Sequence, residues 1–227
     1  LNMLQAERRI IFMKKVITFW LVIAIVMAAA LSVYGGTSEN GEASNSVVVG
    51  ISQDIDSLDP HNADYAGTRE VLFNLFEGLV KATSGGSIEP AVAESYEISE
   101  DAQTITFKLR TGITFHDGTP VTPEDIKYST ERYAGIQGEG SSFDAFKELQ
   151  IIDDQTVAII LSEPNPEFIY ELTCAVIPQA NDADVNSNPI GTGPFKYVSF
   201  TPGMSIVLEK YEGYWKEGYP FLDEVTF

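Results

Sequence analysis

Three acids crowd one short stretch of this 227-residue chain, Asp54-Ile55-Asp56-Ser57-Leu58-Asp59-Pro60. Such a cluster could hold calcium, but the glycine and distal glutamate that a calcium loop requires are missing at their places. Its other chemistry is acceptance: carboxylates bind amides and cationic side chains through strong hydrogen bonds. His61 and His116 are the only histidines. They are too few and too separated for a zinc site, and His116 beside Asp117 reads as a hydrogen-bonded turn. Gly191-Thr192-Gly193-Pro194 is a loop of the type that cradles phosphate. No lysine follows it at P-loop spacing, however, and Phe195 to Phe200 reads as a strand. Cys174 is the sole cysteine, so it closes no internal disulfide and reads as a small buried hydrophobe. Neither a Gly-x-Ser-x-Gly elbow, nor His-Glu-x-x-His, nor a nucleophile beside a base is visible. The residues therefore mark no catalytic residue, resident metal or cofactor.

The elements that must position these groups follow from periodicity. Ile105, Phe107 and Leu109 alternate with Thr106, Lys108 and Arg110, the period-two pattern of a strand with one buried face. With Tyr96 to Ile98 and the polar turn Ser99 to Gln103, this makes a hairpin. Thr122 is a good N-cap, Pro123 suits the first helical position and Asp125 favours the helix's positive end, so a helix is expected from Thr122 to about Ala134. Gly135 to Ser142 is then a glycine-rich loop. Val71/Leu72, Leu75/Phe76 and Leu79/Val80 recur every four residues and predict a helical stripe within Gly67 to Ala82. Val47 to Ile51 is a β-branched strand entering the acidic loop. Leu149 to Leu161 repeats the hairpin logic around Asp153-Asp154-Gln155, and Glu167 to Leu172 begins a short helix. A third hairpin turns at Thr201-Pro202-Gly203, with Ile206 and Leu208 facing Phe195 and Tyr197, before Tyr211, Tyr214 and Trp215.

One ordered series of motifs resembles the family 5 solute-binding proteins, the peptide- and nickel-type receptors of ABC importers. It runs from the hairpin through Phe115-His116-Asp117-Gly118-Thr119-Pro120 and the capped helix to Leu161-Ser162-Glu163-Pro164, Gly191-Thr192-Gly193-Pro194-Phe195 and Tyr211 to Trp215. An ordered series is far more specific than an isolated motif. The resemblance implies an α/β, periplasmic-binding-protein-like lobe of the class II or cluster C type, with mixed sheets and hairpins. Leu222 to Phe227 reads as a strand beginning a further passage, so the lobe is expected to be truncated before a second large lobe, and this chain alone to bind ligand weakly. Residues 47–82 and 188–227 are expected in lobe I, and 83–187 in an inserted α/β subdomain.

The resemblance also nominates a site. The first strand and its Ser-Leu-Asp-Pro end lie at the cleft in relatives, which points here to Asp54, Ile55 and Asp56. The loop after the capped helix is either a plain connection or a lid segment that brings Tyr133 or Phe143 to ligand. Gly191, Thr192 and Gly193 sit where the chain crosses back, either offering backbone amides or making a tight turn. The implied function is capture of a peptide for delivery to a membrane permease and its ATPase, by a monomer. Alternatives are a receptor for a nickel chelate or other small solute, and a sensory or non-transporting remnant.

The N-terminal residues and the charge agree with work outside the cytoplasm. Met13 is read as the start, and Lys14-Lys15 precede apolar Val16 to Leu31. As a helix that run reaches about 24 Å, short of the ~30 Å of hydrocarbon. Residues 1–36 thus read as a secretory signal peptide, or an uncleaved anchor, and 37–46 as a polar linker. Gly35-Gly36 stands where a lipidated cysteine would be expected, so a lipid anchor is unsupported. The chain has 14 Lys+Arg against 33 Asp+Glu; without Arg8, Arg9, Lys14, Lys15 and Glu7, 10 and 32 remain, a net −22. Such a surface repels nucleic acid and anionic membrane.

Overall fold

A computed structural model describes residues 45–227; the expected signal segment and the expected linker up to residue 44 lie outside the described residues. Two four-stranded sheets organise them. In the first, β1 (Ser46–Val48) lies parallel to β10 (Glu224–Thr226), followed by β9 (Ser205–Lys210) and β8 (Phe195–Thr201), both antiparallel. Leu208 and Val225 are opposite one another and buried, while β1 is an exposed edge with Val48 at 80%. The expected β8/β9 hairpin forms with Leu208 facing Tyr197. Because the strands are antiparallel, Phe195 faces Lys210 and not Ile206; a register shift between Tyr197 and Ser199 then sets Ile206 opposite Phe200.

The second sheet has the order β4 (Ala93–Ile98), β5 (Thr104–Leu109), β7 (Thr156–Leu161), β6 (Phe146–Asp153), antiparallel throughout. Ile105, Phe107, Val157 and Ile159 are wholly buried. At roughly 25 cal/mol per Å², each such side chain gains about 1.5–3 kcal/mol over exposure. A smaller hairpin, β2 (Val80–Ala82) with β3 (Ile88–Pro90), leads into it.

The segment from Gly67 to Ala82 departs from the expected helix. Helix α1 covers only Ala66–Leu72, and Asn74 ends it by donating its side-chain amide to Glu70 O (3.0 Å) and Val71 O (3.1 Å). The four-residue recurrence is present, but its members serve two cores. Val71, Leu72, Leu75 and Phe76 pack with Ile206 and Leu208, whereas Leu79 and Val80 join Phe107 and Ile159. Between the two, Gly78 lies so close to Leu172 O and Cys174 O that a Cβ would meet each at 2.6 Å. Glu77 is fixed by Lys81 Nζ (2.9 Å), Tyr214 OH (2.7 Å) and Trp215 Nε1 (2.6 Å).

Helix α2 (Pro123–Gln137) begins at the expected cap. Thr122 Oγ1 accepts from Asp125 N (3.2 Å) and Asp125 Oδ2 accepts from Thr122 N (3.1 Å), a reciprocal capping box. It runs three residues past Ala134 and ends at Gly138, whose φ of 68° suits a residue without Cβ. Lys127 Nζ donates to Leu149 O (2.8 Å), and Ser129 Oγ accepts from Ile177 N (2.9 Å). These bonds fasten α2 between the second sheet and segment 175–178. Pro166–Thr173 forms a 3-10 helix packed on the same core through Phe168, Ile169 and Leu172.

Candidate functional site

The acidic stretch is consumed largely by its own surroundings. Asp54 Oδ1 accepts from Ile55 N (2.9 Å) and from Gly203 N (3.2 Å) in the β8/β9 turn. Asp56 Oδ2 accepts from Asp64 N (2.8 Å) and Tyr65 N (3.2 Å), fixing the loop at the start of α1. Burial works to raise the Asp56 pKa, but hydrogen bonds from Thr68, Asp64 and Tyr65 hold it below the ordinary value. Asp59 is buried and meets Arg132 through Nη2 (2.6 Å) and Nη1 (3.1 Å), with Asn62 Nδ2 at 2.6 Å. Its carboxyl too stays below the usual range, since these partners outweigh desolvation.

Arg132 carries this network inward. Nε donates to Asp182 (2.6 Å) and Nη1 to His61 Nδ1 (2.9 Å), so the imidazole keeps its proton on Nε2 and donates it to Ala175 O (2.8 Å). Burial, and then Arg132, depress the His61 pKa, which makes the ring a neutral strut. The His61 ring meets Tyr133 edge-on (centroids 5.4 Å, 63°), and Tyr133 meets Phe143 in the same manner (5.0 Å, 83°). Edge-to-face pairs of this kind stabilise by ~0.5–1.5 kcal/mol and fix ring orientation.

Against this strut opens a cavity of about 200 Å³. Pro60, Leu72, Phe76 and Ala175 supply apolar wall, Phe73 and Tyr133 aromatic wall. Arg69, Gln137, Glu171 and Thr173 add the polar groups. Burial raises the Tyr133 pKa, Cys174 and Glu171 adding to it and Arg69 opposing, so these groups share one electrostatic neighbourhood. Cys174 also lines the cavity; the residue is partly exposed, but its thiol lies deep enough that burial pushes it up to about 12. It is a neutral wall atom and no nucleophile.

The structure does not bring the nominated residues together. Tyr133 reaches the cavity, and Phe143 stands behind it at 3% exposure in a cluster with Phe146 and Phe168. Asp54 and Ile55 line a separate groove of about 400 Å³ along β1 and the β8/β9 turn, with Val49, Phe200 and Met204. Gly191 and Gly193 press on the turn after α1: a Cβ would stand 2.1 Å and 2.8 Å, respectively, from Leu75 O. Their amides are spent inside the protein, Gly191 N on His116 Nδ1 (3.2 Å) and Gly193 N on Leu75 O (2.9 Å). The expected turn forms, with Asp117 Oδ1 accepting from Thr119 N (2.9 Å) and Thr119 Oγ1 (2.6 Å), but the His116 ring reaches beyond it. It clamps the glycine loop, donating from Nε2 to Gly193 O (3.1 Å), and burial lowers its pKa to about 4. Thr192 is buried, and its Oγ1 has no partner among the described residues.

Arg69, Phe73 and Glu171 were not foreseen as wall residues. Arg69 had a signal: it is the first cation after Lys15 in a strongly acidic chain. Glu171 had none that set it apart from the other acids.

Residues 87–227 match the bacterial extracellular solute-binding proteins, family 5 Middle. The chain belongs to this family. Among family 5 relatives, the glutathione-binding protein GsiB of Pectobacterium atrosepticum is 29% identical over 218 residues, covering 92% of this chain and 41% of that protein. AgaA of A. tumefaciens R10, solved in complex with agropinic acid, superposes with a TM-score of 0.74 at 35% identity over 80% of this chain and 39% of its own. The murein tripeptide binding protein MppA of Escherichia coli gives 0.73 at 26% identity, over 82% and 42%. The family 5 chain thus spans about two fifths of the length of these relatives. Its two sheets and capped helix are part of the periplasmic-binding-protein fold, mixed α/β as the motif series implied.

Proposed function

We propose that this chain forms one wall of the ligand cleft of an extracytoplasmic receptor, which captures peptides or peptide-like solutes and passes them to an ABC permease and its ATPase. The observation that carries the reading is the cavity beside Tyr133: apolar floor, aromatic sides and a few polar groups, held on a buried Asp59–Arg132–His61 strut. Ligand sites have this composition. Its volume of about 200 Å³ falls below the ~300–1,000 Å³ usual for a complete site, which suits one wall of a clamshell closing on a second. Peptide-like ligands in the names of family 5 relatives, glutathione and a murein tripeptide, support the ligand class.

Within this reading Tyr133 is a ligand contact, joined by Arg69, Phe73 and Glu171. Asp56, Phe143 and the loop Gly191 to Gly193 hold the wall in place, and Asp54 and Ile55 lie apart from it in the groove. Residues 47–82 with 188–227 form lobe I, and 83–187 the inserted subdomain. The receptor acts as a monomer outside the cytoplasmic membrane, delivered by its signal segment. The test is a thermal melt of the protein isolated from the producing cells, with millimolar trialanine, triglycine and glutathione. A saturable rise in melting temperature, with peptide recovered unchanged by mass spectrometry, supports capture without turnover. Hydrolysed peptide, or no shift with any of the three, contradicts it.

A further inference from the structure

Among the described residues Lys81, Lys108, Lys127, Arg132, Lys196 and Lys210 each lie within 4.0 Å of a carboxylate, whereas Arg69, Arg110, Lys147 and Lys216 do not. Of these four only Arg69 lines the cavity, which also contains Glu171. Each is steadied by a neutral bond that leaves charge-bearing atoms unused. Arg69 Nε donates to Ala63 O (3.0 Å), and Glu171 Oε2 accepts from Ser142 Oγ (2.7 Å). No second hydrogen bond to either side chain is made among the described residues. The two opposite charges thus face one cavity without closing on each other.

Resting on the receptor reading above, we propose that this cavity recognises both ends of a zwitterion, Arg69 taking the ligand's carboxylate and Glu171 its ammonium group. The guanidinium offers its terminal N–H fork to a carboxylate, a geometry that lysine lacks. Glu171 offers its second oxygen to a cationic donor. The remaining wall charges are already cancelled: His61 is neutral, and Asp59 behind it is matched by Arg132. A purely anionic ligand would meet Glu171 as a repulsive neighbour, and a purely cationic one would meet Arg69. Only a ligand carrying both signs pairs with both charges and is repelled by neither, which is specificity by repulsion as well as attraction. Phe73 and Tyr133, with Pro60 and Phe76, suit an uncharged middle between the two ends.

The test is isothermal titration of the protein isolated from the producing cells. The probes are trialanine, triglycine and glutathione, each also as its C-terminal amide and its N-acetyl derivative. Amidation and acetylation should each weaken binding by about tenfold or more, the range of a charge-assisted hydrogen bond. In Arg69→Gln the amide penalty should vanish while the acetyl penalty stays; in Glu171→Gln the reverse should hold. Arg69→Lys should restore part of the amide penalty and, keeping the charge, guards against a fold-loss artefact in Arg69→Gln. Blocked and free peptides binding alike, or both penalties surviving in both variants, overturns the assignment and leaves the receptor reading standing. Binding of no peptide in any form overturns the receptor reading, and the assignment with it.

Discussion

The cavity beside Tyr133 and the groove beside Asp54 both draw on residues 54 to 63, yet they are built differently. The groove is twice as large, about 400 Å³ against 200 Å³, but it runs along an exposed sheet edge where Val48 and Met204 are 80% and 82% exposed. Asp54, its acidic residue, already accepts two backbone N–H groups. The cavity is smaller and rests on a buried ion pair and three edge-packed rings, His61, Tyr133 and Phe143, while Arg69 and Glu171 keep unused hydrogen-bonding atoms among the described residues. A binding wall gains affinity from atoms that are already fixed before ligand arrives, so support counts for more than volume.

The largest effect should come from breaking that support. Arg132→Leu leaves Asp59 charged and unpaired behind the cavity and should cost about 3–5 kcal/mol in urea unfolding. Adding Asp59→Asn should recover part of this loss, and full additivity of the two would argue against a coupled pair. A smaller loss should follow acidification. Unfolded His116 titrates near 6.5 and folded His116 near 4, so between these values the unfolded chain binds a proton that the folded one refuses. Stability should therefore fall as pH drops from 6.5 toward 4, by about 3 kcal/mol if His116 acts alone. His61, shifted in the same direction, adds to the effect. Urea midpoints at pH 7.5 and 4.5 check this, and His116→Gln should flatten much of the slope.

Phe73→Ala should sharpen the contrast differently. Its side chain is 57% exposed, so stability should change by no more than about 1 kcal/mol. Peptide affinity should nevertheless drop about tenfold, because an aromatic wall residue supplies contact area. Ile55→Ala in the groove should leave affinity unchanged. The smallest effect belongs to Asp54→Ala: two exposed hydrogen bonds are lost to water, and the change should stay near ~0.5 kcal/mol by thermal melt. A larger drop in peptide affinity from Asp54→Ala than from Phe73→Ala would reverse the ranking of the two regions.

Local signals were legible in the sequence. The alternation from Ile105 to Arg110 and the Thr122-Pro123-Glu124-Asp125 cap depend on neighbours within a few residues, and both elements form where expected. The run from Val71 to Val80 was less legible, because a four-residue period does not tell whether its members serve one core or two; Asn74 and Gly78 decide that through contacts made in the fold. Site chemistry was harder to read for the same reason. Whether an acid is free or consumed depends on distant partners: Gly203 for Asp54, Arg132 for Asp59, Ser142 for Glu171. Tyr133 was reachable from the motif series, but its meeting with Arg69 and Glu171 arises only when α1, α2 and the 3-10 helix pack together.

The most direct measurement is hydrogen–deuterium exchange of the isolated protein with and without saturating tripeptide. The account predicts new protection in residues 60–73, 133–138 and 171–175, with 48–55 and 203–206 unchanged. Protection confined to 48–55 and 203–206 would place the ligand in the groove and contradict the cavity as the binding wall.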